Sequence, residues 1–317
     1  MSDTTADDRL TAEDINAYLA EHRNWGRWGH DDELGALNLI TAEKRRKSAA
    51  VVRTGRTVSL SRPLPTGPGP DNPHPARHFM QRFPRDPGGG VAVDFIGVNC
   101  HGLPLTHVDA LCHVWSESGM WNGRDPDEEI SFNGAAFGGI EAWRDGIVTR
   151  GVLLDVPRYL GQPFVTFEEP VHGAELEAIA ESQGVEIEPG DAVAVYCGRE
   201  EWSRRHGPWG GMTGAGSLPS ASDERPGLHA SCLRFLRETD TAVLVWDMMD
   251  LTPYGLAIPW AVHAAAWAFG VALVDNALLE PLSHACEQEG RYEFQLVVAP
   301  LEIPGGTGSP VNPLAIL

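Results

Sequence analysis

The stretch HGLPLTHVDALCHVW, residues 101–115, sets three histidines and one aspartate within an otherwise apolar run. In an extended strand, side chains of equal parity share one face, and His101, His107, Asp109 and His113 are all odd-numbered. A strand running unbroken through 105–109 therefore presents His107 and Asp109 together. His113 joins them from a continued strand or from the first turn of a following helix, and parity allows His101 on the same face. A lone buried histidine is usually hydrogen-bonded core, and an H-x-D pair alone says little. An H-x-D-x3-H run between Leu, Val and Cys is harder to assign to packing, because unpaired buried polar and charged groups are costly and a bound cation offsets that cost. Imidazole and carboxylate are ligand types that Zn²⁺, Mn²⁺ and Fe²⁺ accept.

Outward from this segment, short β-branched runs recur between turn residues: VAVDFIGVN (91–99), GVLLDV (151–156), DAVAVYCG (191–198), TAVLVWD (241–247), GVALVD (270–275) and YEFQLVVAPL (292–301). Helical patterns fall near 172–183, 228–238 and 261–268. Towards the N-terminus, Thr11 caps a helix over TAEDINAYLAEHR, with Asp14 placed for a capping box. An ordered, Trp- and Gly-rich loop follows at 24–41. Thr41 opens a second helix, closed by Gly55, and TVSLS (57–61) is a strand. Residues 62–90, rich in Pro, Gly and Arg, form a long loop, either a lid or binding loop or a disordered insert. Strands and helices interleave without a strict βαβ repeat, which predicts a mixed α/β fold in a single domain over 11–317. That domain carries an N-terminal helical arm at 11–55, and residues 1–10 are disordered.

The chain has 317 residues, 42% hydrophobic and 21% charged, with a net charge of −20. A nucleic-acid partner is excluded by the lack of a basic footprint beyond KRRK at 44–47. No apolar run is long enough to span a membrane, and the acidic N-terminus lacks the order of a secretory signal. Five cysteines without a CxxC pair predict reduced thiols in a cytoplasmic protein. No G-x-S-x-G elbow appears, and Cys112 lies on the opposite parity to the polar set, so nucleophilic catalysis has no candidate. The Gly-rich RRHGPWGGMTGAG stretch does not follow a strand and ends without Lys-Ser/Thr, which argues against nucleotide binding there.

THVDALCH (106–113) resembles the latter part of the H-x-G-T-H-x-D-x-P-x-H motif of the cyclase family of metal-dependent hydrolases, which includes bacterial kynurenine formamidase and isatin hydrolase. NWGRWGHDDELGALNLIT, GIVTRGVLLDV, PGLHASCLRFL, GRYEFQLVVAPL and GTGSPVNPLAIL are similar to the longer members of that family, so the resemblance covers nearly the whole chain from about residue 20. It implies a swivelling β/β/α fold and a homodimer or homotetramer in which a neighbour's loop helps close the pocket. It also implies a divalent metal, Zn or Mn, as one or two ions. His107 and Asp109 are then metal ligands, with Asp109 bridging where two ions are present, and His113 is the general acid/base. His263 and Asp275 fit the downstream ligand positions, although the family usually has Glu at the second. The first motif histidine falls on Leu103, so a ligand is missing unless His101 serves instead.

Chemically, a cation held by His107 and Asp109 activates water and polarises a carbonyl, while His113 shuttles the proton. This predicts hydrolysis of a small cyclic or aromatic amide, formamide, lactam or lactone. One alternative is a metal-poor dehydratase, cyclase or isomerase working by His/Asp acid–base chemistry. Another is a non-catalytic small-molecule binding protein on the same scaffold. Trp28, His229 and Asp247 are candidates for substrate contact; each has a structural counterpart, as packing anchor, helix-start residue and strand-end Asx turn respectively. Asp250 shares the strand-end reading with Asp247. His74, His78 and His284 read as surface or loop residues.

Overall fold

The computed structural model describes residues 10–209, 224–252 and 260–317. The expected disorder at 1–10 therefore falls almost wholly outside the described residues, as does most of the Gly-rich stretch after Trp209. Strands are β1 (Thr57–Ser59), β2 (Arg77–Pro84), β3 (Gly90–Gly97), β4 (His107–Asp109), β5 (Ile130–Ser131), β6 (Gly134–Ala135) and β7 (Ile147–Asp155). They continue with β8 (Ala192–Tyr196), β9 (Val243–Trp246), β10 (Ala272–Asp275), β11 (Glu293–Val298), β12 (Gly308–Pro310) and β13 (Leu314–Ile316). Nine of them form one mixed sheet in the order β1-β13-β11-β7-β8-β9-β10-β4-β12. Its centre, β7 to β10, is parallel, and its flanks are antiparallel. Of the parallel strands, β8, β9 and β10 are buried throughout, which accounts for their continuous Val/Leu/Ala runs.

Helices are α1 (Ala12–His22), α2 (Ala42–Ala50), α3 (Pro126–Glu129), α4 (Val156–Leu160), α5 (Gly173–Gln183), α6 (Arg199–His206), α7 (Cys232–Glu238), α8 (Ala264–Phe269) and α9 (Glu280–Glu289). The Thr11–Asp14 capping box is formed. Thr41 caps α2, but that helix stops at Ala50, short of Gly55. The reason is downstream: the backbone N–H groups of Thr54 and Gly55 both donate to the Leu317 carbonyl, so the chain leaves the helix to dock on β13. The α7 helix is also shorter than its 228–238 pattern. Leu228 instead bridges Val171 on one side and Asp250 on the other.

Two expectations need correction. The 62–90 segment is not loop throughout, because 77–84 is a strand that pairs with 90–97 in an antiparallel two-stranded ribbon apart from the main sheet. The strand through 91–97 forms as expected, but the ribbon lies at the surface: Phe79, Met80, Phe83, Val91, Val93, Phe95 and Ile96 are all exposed. Periodicity could not expose this, because a ribbon bare on both faces needs no apolar–polar alternation. The strand expected over 105–109 is confined to His107–Asp109, since residues 101–105 form turns that bond to side chains and not to a neighbouring strand.

The cysteines are free thiols, and all but Cys100 are buried. No described helix is long and apolar enough to cross a membrane.

Candidate active site

Register across three strands builds the site. In β4, His107 lies opposite Asp275 of β10 and opposite Pro310 of β12, while Asp109 lies opposite Gly308. Directly opposed residues in an antiparallel pair put their side chains on one face, so His107, Asp109 and Asp275 converge. His263, immediately before α8, completes the inner group, with its Nε2 3.1 Å from Asp275 Oδ2 and 4.0 Å from Asp109 Oδ2. The outer group comes from the turns on either side of β4. His101 Nδ1 lies 3.0 Å from Asp109 Oδ1, and His113 Nε2 lies 3.8 Å from Asp109 Oδ2. These two imidazoles stack in parallel, with centroids 3.6 Å apart and planes 2° apart. His113 reaches the site from a turn, its N–H donating to the Ala110 carbonyl.

Further contacts fix each ring. The Leu105 carbonyl holds His107 Nδ1 at 2.9 Å, which leaves Nε2 facing Asp109 at 3.3 Å. The Asp250 carboxylate bonds His263 Nδ1 and accepts the Val262 backbone N–H, which turns Nε2 inward. Trp246 Nε1 donates to Asp275 Oδ1 at 2.5 Å, and Thr307 Oγ1 bonds His101 Nε2 at 2.9 Å. Outer contacts of this kind are what ligand rings need for orientation. Gly308 has its own part: a Cβ there would lie 2.6 Å from the Val108 carbonyl and 2.9 Å from the His101 ring. The GTGSP stretch thus lets β12 close over the site without displacing His101.

The electrostatics are unusual. Asp109, Asp250 and Asp275 are all buried around the same spot, an accumulation of negative charge that demands a positive counterpart. Burial would depress the His107 ring, but Asp109 and Asp275 outweigh it and hold its pKa up at about 9. The same balance, dominated by Asp250 and Asp275, raises His263 well above its ordinary range. Burial opposes ionisation of Asp109, yet His113, His101 and His107 keep its pKa well below the usual carboxylate range. For His113 burial prevails over Asp109, pushing the ring down to about 4, so it is neutral at pH 7 and able to accept a proton.

Both carboxylate oxygens of Asp109, and Nδ1 of His101, are buried without a hydrogen-bond partner among the described residues. His101 and His107 approach Asp109 Oδ1 at 3.0 and 3.3 Å without hydrogen-bond alignment, and His113 and His263 stand 3.8 and 4.0 Å from Oδ2, too far for a hydrogen bond. Donor atoms drawn together around shared points without bonding one another are the arrangement of a cation site. Two overlapping sets satisfy it, His101–Asp109–His113 and His107–Asp109–Asp275, with Asp109 common to both.

A cavity of about 440 Å³ opens beside the outer group. Its walls include Pro65, Asn72, His74 and Ala76 from the segment before the ribbon, and Val98, Cys100, His101 and Leu105 from the segment after it. Part of the 62–90 segment therefore lines a pocket.

Of the residues singled out in the sequence, His101, His107, Asp109, His113, His263 and Asp275 are brought together. The three substrate-contact candidates make the following contacts. The fully buried Asp247 carboxylate accepts the backbone N–H groups of Cys197, Gly198 and Arg199, bonding the N-terminus of α6. Trp28 packs on Trp121, with ring centroids 6.2 Å apart, as a core anchor. His229 lies against His172 and bonds Ser231. The sequence leaves one contributor open between a site and a structural role, and passes over another. Asp250 orients His263, but its sequence context is the same strand-end turn as that of Asp247. His74 faces the cavity, and a histidine in a Pro-rich loop carries no sequence signal for that.

A family model described as "Putative cyclase" matches residues 58–252. Among solved structures, one described as a novel cyclase is 29% identical over 93% of this chain and 99% of its own, with a TM-score of 0.78. Isatin hydrolase A from Labrenzia aggregata, bound to benzyl benzoate, is 21% identical over 82% and 93% of the two chains, with a TM-score of 0.52. An isatin hydrolase bound to the product analogue thioisatinate is 16% identical over 87% and 99%, with a TM-score of 0.53; these last two likenesses are of fold alone. No curated protein matches.

Proposed function

Because the chain belongs to the cyclase family, we propose that it is a metal-dependent hydrolase of a small cyclic or aromatic amide, formamide, lactam or lactone. The observation that carries this reading is Asp109, a buried carboxylate with both oxygens unbonded, shared by two sets of His/Asp donors. His107, Asp109, Asp275 and His263 would hold one ion, and Asp109 with His101 a second; Zn²⁺ or Mn²⁺ suits such N/O donors. A divalent cation supplies Lewis acidity, lowering the pKa of water towards about 7 and polarising a carbonyl oxygen.

The remaining chemistry belongs to the chain. His113, neutral in its buried setting, takes a proton from the attacking water at Nε2 and returns it to the departing nitrogen or oxygen. Its stacking on His101 holds the ring plane during both transfers. The substrate lies in the adjoining cavity, whose size suits a small ring system, against Val98, Ala76 and Leu105.

Removing metal with a chelator should abolish hydrolysis across a panel of isatin, N-formyl anilides and small lactones, and adding back Zn²⁺ or Mn²⁺ should restore it for at least one of them. Full turnover by metal-free protein would instead favour the acid–base alternative, for which the leucine at 103 is the argument.

In this reading the enzyme works as a homodimer or homotetramer. An isolated two-stranded ribbon is only marginally stable, and this one pairs Phe79 with Phe95 and Phe83 with Val91 on one face. Its arginines, Arg77, Arg82 and Arg85, complement a chain of net charge −20, so a second copy is a suitable cover. Changing Phe79 and Phe95 together to Ser should yield monomers by light scattering, and an unchanged assembly would remove the ribbon from the interface.

A further inference from the structure

Resting on that metal-site reading, we infer that Arg199 is a positioning residue: with Asn276 it clamps the 101–105 turn so that His101 is held over Asp109. These turns have little support of their own, since the one backbone hydrogen bond within them, from Leu105 N–H to the Gly102 carbonyl, is long at 3.4 Å. What fixes them is a buried guanidinium. Arg199, at the start of α6 and 3% exposed, donates from Nη2 to the Leu103 carbonyl at 2.7 Å. Its Nη1 donates to the Asn276 side-chain oxygen at 2.5 Å and to the Asp247 carbonyl at 3.0 Å. Asn276 Nδ2 passes the hold onward, donating to the Gly102 carbonyl at 3.0 Å. Two successive carbonyls, 102 and 103, are thus gripped from one side by groups that cannot shift without leaving buried polar atoms unpaired.

The other side is fixed as well. The Leu103 side chain is 2% exposed and packs in the core, and Thr307 Oγ1 bonds His101 Nε2. Asn276 is the residue after Asp275 and has φ of 54°, a left-handed conformation that asparagine tolerates better than most residues. Its carbonyl accepts from Thr106 Oγ1 and Arg62 Nε. The clamp therefore ties both strands that carry donors, β4 and β10, to the His101 turn. The planar guanidinium reaches three acceptors here from two separate nitrogens, a spread that the single ammonium of Lys does not reproduce.

The test is Co²⁺ binding to metal-stripped, full-length protein, followed by its visible absorption and by calorimetry. Arg199→Gln and Asn276→Gly should each weaken Co²⁺ binding about ten- to a hundredfold, the usual effect of removing a group that orients a ligand, and His101→Ala should do the same. Because the clamp acts through His101, the Arg199→Gln/His101→Ala double variant should bind no more weakly than His101→Ala alone, a non-additivity that general destabilisation does not produce. If Arg199→Gln does not fold, the same cycle is run with Asn276→Gly, which keeps the left-handed backbone. Additive losses, or unchanged Co²⁺ affinity in the clamp variants, overturn the inference. Wild-type protein that takes up no Co²⁺ overturns the metal-site reading itself, whereas tight binding by both wild type and His101→Ala overturns the clamp alone.

Discussion

Replacing Asp109 by asparagine should leave less than about a tenth of an equivalent of bound metal and lower kcat/KM at least about a thousandfold, equivalent to about 4 kcal/mol of barrier. Asparagine keeps the shape of aspartate but removes the charge that two donor sets share. The fold should survive. Without that anion the His107 ring loses a main contribution to its raised pKa, so it sheds its proton more readily and is not stranded as a buried unpaired cation. Metal analysis and steady-state kinetics on the same preparation check the result, with circular dichroism to confirm folding. An Asp109→Asn protein that still carries metal and still turns over would end the proposal that this carboxylate is its centre.

The second large effect concerns stability. Asp191 is fully buried just before β8 and receives Arg150 through Nε and Nη2, Lys44 Nζ at 2.6 Å and the Glu188 backbone N–H at 2.7 Å. It thereby joins α2 to β7. Asp191→Ala should cost about 3–5 kcal/mol, because breaking a buried ion pair from one side leaves uncompensated charge behind. The fall should appear as a lower urea midpoint with little change in slope. Adding Lys44→Met should restore part of it, since one stranded cation is then removed. A midpoint within experimental error of wild type would mean that Glu188 and Glu293, which also pair with these cations, already suffice.

His107 and Asp109 could be read from residues 101–113, because parity and residue type are local properties that the β4 register preserves, whereas His101 and His113 arrive from turns that parity does not describe. The parallel strands were legible for a similar reason: burial on both faces demands unbroken apolar runs. What could not be read depends on distant partners. Asp247 and Asp250 occupy the same kind of strand-end turn, yet one bonds the backbone of 197–199 and the other turns His263, and only tertiary placement separates them. For Trp28 the sequence favours a packing anchor over a pocket wall, and the structure sets it against Trp121. The ribbon escaped notice because an element exposed on both faces is free of the patterning that burial imposes. That His101 approaches Asp109 despite the leucine at 103 depends on Arg199 and Asn276, far away in sequence, and no short motif encodes that.

The hydrogen bond between His101 and Thr307 spans 206 residues. At ribosomal rates of about 5–20 residues per second, roughly 10–40 s separate the appearance of those two ends during translation. For most of that interval the nascent chain carries this histidine-rich segment without Asp275, and for all of it without β12, so under the proposed function ion capture waits until most of the polypeptide has been made.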